Sequence, residues 1–238
     1  MAVILHLETT THQCAVALSK NGELLANRCV RDNGYSHAEK LQTFIDEVFT
    51  ESEINRENLT AVSVSGGPGS YTGLRIGVAT AKGICHALEI PLISVDTLSV
   101  LALQAMEKQP GFDSYVSMID ARRMEVYACV FAEKLMQNSE IESIVVDDDR
   151  VFPWDESEKI CFSGDGALKC AEVLSGKNRV FMEDWPTAEF AIALALDKFN
   201  KEIFEDVARY EPTYLKAFVA GKAKDPLGLR RHALNEKK

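Results

Sequence analysis

SGGPGSYTGLRIGVATAKGI, residues Ser65–Ile84, decides how the chain is read. Its opening, Gly66-Gly67-Pro68-Gly69-Ser70, is a glycine-rich turn that follows the strand-like run LTAVSVS (Leu59–Ser65). The remainder has helical character yet carries Gly73, Gly77 and Gly83. A glycine-rich turn at a helix start can offer backbone N–H groups to an anion. On that reading Gly67, Gly69 and Ser70 are the candidate nucleotide or anion contacts. The other reading is a tight strand-to-helix turn, in which the glycines take positive φ, Pro68 fixes its own φ and Ser70 caps the helix. Specific phosphate motifs do not fit. No Gly-Lys-Ser/Thr follows, and a dinucleotide pattern begun at Gly67 meets Thr72 where its last glycine belongs.

The helix says more than the loop. Gly73, Gly77 and Ala81 recur every four residues, and Thr80, Gly83 and Ala87 form a neighbouring row of small residues. Each interior glycine costs about 0.8–1.0 kcal/mol relative to alanine, so three cost roughly 2–3 kcal/mol. Close approach of another backbone is the simplest offset, from the chain's own sheet or from a helix of another chain. Leu74, Ile76, Val78 and Ile84 make the remaining faces apolar, as in a helix buried by its own fold and again by a partner. The preceding helical segment, SHAEKLQTFIDEVFTES, places Leu41, Phe44, Ile45 and Val48 in one stripe. Ser36 is its expected N-cap, with Glu39 completing a capping box. The expected partner surface is therefore Leu41, Phe44, Ile45 and Val48 with Gly73, Leu74, Ile76, Gly77, Thr80, Ala81 and Ile84. If so, Gly77→Leu abolishes pairing and leaves the monomer folded.

Outward from this stretch the pattern is α/β. VILHLET reads as a strand, and CAVALSK and ELLANRCV read as a hairpin around Asn21-Gly22, a dipeptide suited to positive φ at both central residues. PLISV is a further strand and TLSVLALQAMEK a helix that ends before Pro110-Gly111. SYVSMID and EVYACVF then flank Ala121-Arg122-Arg123 as a second hairpin, followed by strands IESIVVD and KICFSGD, helix GALKCAEVLSG, strand RVFM and a helix from Thr187 to about Asp206. The second half thus repeats the order of the first, which predicts two ribonuclease-H-like lobes. The expected division is 1–109 for the first lobe with the partner helices, 110–215 for the second lobe, and 216–238 for a basic tail.

Composition narrows the chemistry. At 238 residues and 46% hydrophobic content the chain can bury a sizeable core. No apolar run reaches the ~18 residues of a membrane span, and MAVILHLETT lacks a basic leader region, so a cytoplasmic protein with no membrane contact is expected. The six cysteines have no C-x-x-C spacing and read as buried reduced thiols. From Lys216 onward seven Lys/Arg stand against two Asp/Glu, a charge of +5, so the remainder carries −15 within the total of −10. An acidic body argues against strong nucleic-acid binding by this chain alone. The histidines, His6, His12, His37, His86 and His232, include no pair at i, i+3 or i, i+4, so no helical zinc site can be drawn. No metal ligand and no catalytic residue is therefore expected, and His6 reads as a core histidine. Glu8 and Asp120 end the first strands of the two halves, where they could face each other across an interlobe cleft.

GGPGSYTGLRIGVATAKGI, HLETTTHQCAVAL, YSHAEKL, PLISVDTLSVLA, DARRMEVYACVF, GDGA (Gly164–Ala167) and EPTYLK (Glu211–Lys216) together resemble the TsaB (YeaZ) family over most of the chain. The resemblance implies an actin/Hsp70/sugar-kinase-like (ASKHA) fold. It implies a non-catalytic bacterial scaffold that works with TsaD, TsaE and TsaC to make threonylcarbamoyladenosine beside the anticodon of tRNAs reading A-starting codons. TsaD would hold the metal and transfer the group, and the TsaB-like chain would pair its first-lobe helices with TsaD or with a second copy of itself. No cofactor of its own is implied; ATP or ADP would sit at the interface with TsaD, and tRNA would be met only through the complex. Thr97 and Leu101 stand where TsaD-like proteins carry a helical H-x-x-x-H, and neither supplies an imidazole to a divalent metal. Glu8-Thr9 replaces the family's Asp-Thr at the end of the first strand. The alternative reading is an ATP-dependent small-molecule kinase of the same fold, resting on Glu8, Gly67, Gly69 and Asp120.

Overall fold

The computed structural model describes residues 1–31, 37–147 and 157–216. The expected N-cap Ser36 and the basic tail beyond Lys216 lie outside them. Strands β1 (Val3–Glu8), β2 (Gln13–Lys20) and β3 (Glu23–Arg31) form an antiparallel meander. After α1 (His37–Ser52), strand β4 (Ala61–Ser65) joins β1 in parallel. Helix α2 (Tyr71–Leu88) then leads to β5 (Leu92–Val95), parallel to β4, which completes a sheet ordered β3-β2-β1-β4-β5. Every residue of β1 is buried, as a central strand covered on both faces requires. Between β2 and β3, Asn21 (φ 53°) and Gly22 (φ 88°) both adopt positive φ, as the Asn-Gly pair predicts.

Helix α3 (Thr97–Lys108) connects to a second sheet that repeats the scheme. Strands β6 (Ser114–Asp120) and β7 (Glu125–Ala132) are antiparallel, and β8 (Met136–Gln137) and β9 (Glu142–Val145) both pair with β7. On the other side of β6 lie β10 (Ile160–Ser163) and β11 (Arg179–Met182), both parallel. Each sheet is therefore a meander followed by two parallel strands, and the chain has the doubled ribonuclease-H-like architecture of the ASKHA superfamily.

Two helices are shorter than their sequence patterns predict. The GALKCAEVLSG segment yields a 3-10 turn (Leu168–Cys170) and the single-turn α4 (Ala171–Leu174). Ser175 leaves the helical region (ψ 149°), and the Arg179 guanidinium donates to the freed Leu174 carbonyl at 2.8 Å. Helix α5 runs only over Ile192–Asn200, because Glu202 takes the left-handed conformation (φ 55°) and Glu205 then pairs with Leu92 at the sheet edge. The packing also departs from a division at 109/110. Helix α5 and the turn before it cover the back of the first sheet, where Ala191 and Ala195 meet Ile4, Ile93 and Val95. Helix α3 puts Leu98, Leu101 and Ala105 into the second core and Val100 into the first. Five cysteines are buried, but Cys29 is exposed on β3, an edge strand.

The glycines of α2 explain themselves at this level. A Cβ on Gly73 would overlap the Thr9 carbonyl oxygen, and one on Gly77 would overlap the Thr9 hydroxyl. The approaching backbone is the chain's own β1–β2 turn. The expectation for Gly77→Leu is thereby corrected: that side chain would collide inside the first lobe and damage the monomer itself. Gly83 differs, since nothing lies within 4 Å of a Cβ placed there. Gly83→Ala is therefore expected to raise stability by about 0.8–1.0 kcal/mol, whereas Gly73→Ala should lower it by about 1–3 kcal/mol through overpacking. Urea denaturation of the two variants checks the opposite signs.

Candidate functional site

Two features are placed by this framework: a cleft between the lobes and the outward face of α1 and α2. The cleft has a volume of about 460 Å³ and is lined from the first lobe by Thr10–His12 and Pro68–Thr72, and from the second by Ile119–Arg122, Tyr127 and Asp165. Residues Thr213–Lys216 line it as well.

On the first-lobe side the glycine-rich loop is committed to its own chain. The Ser70 N–H donates to the Thr10 carbonyl at 2.6 Å, and the Ser70 hydroxyl caps α2 by accepting from the Gly73 N–H at 3.3 Å. The Gly67 carbonyl accepts from the Thr97 N–H at 2.9 Å. A Cβ on Gly69 would lie 2.5 Å from the Thr10 carbonyl oxygen, and one on Gly67 would lie 2.8 Å from that of Thr213. Of the three candidate anion contacts, Gly69 and Ser70 line the cleft and Gly67 does not. The Ser70 N–H is thus engaged by Thr10, and the Gly73 N–H of the first helical turn is engaged by the Ser70 hydroxyl.

Glu8 and Asp120 do not form the cross-cleft pair that their strand ends suggest. Asp120 lines the cleft and is ion-paired with Lys169. Glu8 is fully buried beneath the β1–β2 turn, its Oε1 accepting from the Thr10 N–H at 2.6 Å. Burial pushes its carboxyl up to about 7, against the downward pull of the Ser65 hydroxyl at the end of β4 and then of Thr10 and Thr9 in the turn. His6 is a core histidine as expected, hydrogen-bonded to Ser19 at 2.8 Å and pushed down to about 3 by burial. The residue facing Asp120 is Asp165, whose Oδ1 accepts the Asp120 N–H at 2.9 Å; burial first, and then the Asp120 charge, push it up to about 6.

Sequence reasoning singled out neither Asp165 nor Lys169. The available signal was Gly164, held at φ +127° because a Cβ there would overlap the Met118 carbonyl oxygen, which brings the turn bearing Asp165 against the end of β6. The hairpin turn at Arg122 and Arg123 carries no glycine, yet both residues have positive φ (74° and 53°). Side-chain bonds hold it instead: Asp120 accepts from the Arg122 N–H at 2.7 Å, and Lys169 donates to the Arg123 and Glu125 carbonyls at 2.8 and 2.6 Å.

The outward face differs from the expected partner list. Leu41, Ile45, Val48, Gly73, Leu74, Gly77 and Ala81 are buried within the first lobe. Phe44, Ile76, Thr80 and Ile84 are half-buried, and Gly83 and Leu88 are exposed. Between the two helices runs a shallow groove of about 180 Å³, lined by Gln42, Ile45, Asp46, Phe49, Arg56, Leu59, Ile84 and Leu88. Among the described residues no three His, Cys, Asp or Glu side chains cluster as metal ligands, and no helix is long and apolar enough to cross a membrane.

The buried Glu8 has a measurable consequence. Its raised pKa stabilises the fold fully below about 4.5, and that stabilisation is lost as pH rises through about 7. His6 acts in the opposite sense, adding stability as pH rises from about 3 to 6.5. The comparison of wild type with Glu8→Gln isolates the first effect. Between pH 4.5 and 7.5 the wild type should lose up to about 3 kcal/mol more than the variant, at about 1.4 kcal/mol per unit, read from denaturation midpoints across that range.

Residues 32–233 match the family model described as TsaD: tRNA N6-adenosine threonylcarbamoyltransferase. The chain is 35% identical over 126 residues to the tRNA threonylcarbamoyladenosine biosynthesis protein TsaB of Escherichia coli K12, covering 52% of each chain. It is 32% identical over 165 residues to the Haemophilus influenzae protein of the same name, covering 66% of this chain and 63% of that one. The match thus spans between about half and two thirds of these curated relatives. A crystal structure of a Pseudomonas aeruginosa protein, described as similar to peptidase YEAZ, superposes with a TM-score of 0.81 at 25% identity, over 91% of this chain and 100% of that one. The doubled fold, the family-model match and these relatives agree, and the chain belongs to the TsaB (YeaZ) group of the TsaD family.

Proposed function

We propose that this chain is a non-catalytic subunit of tRNA threonylcarbamoyladenosine synthesis, which pairs with TsaD and acts with TsaE rather than transferring the group itself. The supporting observation is the start of α3. Thr97 and Leu101 occupy the positions at which the resemblance calls for metal-binding imidazoles, and both are fully buried, Leu101 within the second core. A hydroxyl and an isobutyl group there leave a divalent ion without its nitrogen donors. The names of the curated relatives supply the pathway. In this reading the chain has no cofactor of its own, any ATP or ADP is held at the seam with TsaD, tRNA is met through the complex, and the work is done in the cytoplasm.

The partner face is the outward side of α1 and α2, reduced to its accessible residues: Phe44, Ile76, Thr80, Gly83, Ile84 and Leu88. A stable pairing buries about 1,600 Å² in total, more than the groove alone, so both helix surfaces take part. The same face serves a second copy of the chain when TsaD is absent. The kinase alternative is not favoured, because the Gly67–Ser70 loop packs on Thr10 and Thr213, Asp120 is held by Lys169, and Glu8 is enclosed.

Gly83→Arg tests the face without touching the core, since no atom lies near a Cβ at that position. Titration calorimetry against TsaD should show affinity reduced at least about tenfold, a loss of 1.4 kcal/mol, with the melting temperature unchanged or raised. Unaltered affinity would place the partner on another surface.

A further inference from the structure

Residues Glu205–Lys216 form a segment with no helix or strand, containing one turn in which the Arg209 and Tyr210 N–H groups donate to the Asp206 carbonyl, and its other hydrogen bonds define a path. It begins on the first lobe, where the Glu205 N–H donates to the Leu92 carbonyl at 2.9 Å at the edge of β5. Lys82 of α2 donates to the Ala208 and Tyr210 carbonyls, both at 3.1 Å. The Tyr210 and Ser94 hydroxyls are 2.6 Å apart, and the Thr213 N–H donates to the Gly66 carbonyl at 2.8 Å. Gly66 and Gly67 leave just enough room for this passage: a Cβ on Gly66 would overlap the Tyr210 hydroxyl. Tyr214 then packs on Tyr71 at 5.2 Å between centroids, and the Arg75 guanidinium lies 4.2 Å over the Tyr71 ring.

Two residues later the segment reaches the second lobe. The Lys216 ammonium is ion-paired with Glu125, donates to the Ala121 carbonyl at 3.4 Å and lies 5.8 Å from the centre of the Tyr127 ring. Glu125 is positioned to receive it by the Ser143 hydroxyl, which donates to Oε1 at 2.6 Å. The segment therefore spans the cleft, with Thr213–Lys216 along its wall.

We propose that residues 205–216 are a latch that sets the opening between the lobes, with a permanent end on α2 and the Gly66-Gly67 loop and a releasable end at Lys216–Glu125. The two ends differ physically. The first is a run of backbone and half-buried side-chain bonds in a channel with no room for side chains. The second is one ion pair whose side chains remain 37% and 26% exposed, and partly solvated pairs are weak enough to open without unfolding either lobe. Release frees the β6–β7 turn from the first lobe, with α3, whose side chains enter both cores, as the pivot. The proposal does not depend on what the chain binds.

Spin labels at Glu57→Cys and Glu172→Cys, exposed sites on the first and second lobes, report the interlobe distance in a Cys29→Ser background that removes the exposed native thiol. Lys216→Met and Glu125→Gln, each introduced separately, should lengthen and broaden the distance distribution relative to the parent. They should also speed amide exchange over residues 121–125 by about tenfold, as local opening becomes easier, while exchange in β1 and β4 stays unchanged. Identical distributions and identical exchange in both variants would overturn the latch.

Discussion

The structure depends on one close approach. The β1–β2 turn, Thr9-Thr10-Thr11, lies against the start of α2 with no side chain between the two backbones at Gly69 and Gly73. Thr9 donates its hydroxyl to the Gly73 carbonyl at 2.8 Å, Thr10 receives the Ser70 N–H at 2.6 Å, and the Thr11 carbonyl lies 2.8 Å from His37 Nε2 at the start of α1. Three consecutive residues thus fix the beginnings of both first-lobe helices relative to the central strand. The helix-propensity cost of Gly73 and Gly77 is offset by this contact, because any side chain there would push α2 off the sheet.

That constraint assigns the faces of α2. The inner face, with Gly73, Leu74, Gly77, Val78, Ala81 and Cys85, belongs to the first lobe. The outer face is left to other uses, and Gly83 is the one α2 glycine at which a Cβ would meet nothing within 4 Å among the described residues. The same approach commits the glycine-rich loop. At the strand-to-helix turn beside the interlobe cleft, the Ser70 N–H turns to Thr10, the Ser70 hydroxyl accepts from Gly73 of α2, and the space beside Gly67 is taken by Thr213. The loop thereby holds the first lobe together through Thr10 and Thr213.

Much of the fold was legible because its signals are local. The Asn21-Gly22 turn, the apolar strands and the Ser70 cap each follow from a few adjacent residues. Two repeats of a meander followed by parallel strands were enough for the architecture. What was not legible depends on contacts distant in sequence. Whether Gly77 faces a partner or Thr9 cannot be read from spacing, since a small-residue row looks the same in both cases. The turn at Arg122 and Arg123 lacks glycine because Lys169, more than forty residues away, secures it. Helix α5 returns to the first sheet because its small residues fit there, a preference of shape rather than of pattern. Asp165 became visible only when Gly164 was seen pressed against Met118.

The account is tested most directly by measuring threonylcarbamoyladenosine formation on unmodified tRNA with purified components. With TsaD, TsaE and the activated threonylcarbamoyl donor present, adding this chain should raise the yield well above the same mixture without it, and the chain alone with donor and tRNA should give none. Modification by the isolated chain would contradict a docking role. Equal yields with and without it would contradict any role in the transfer.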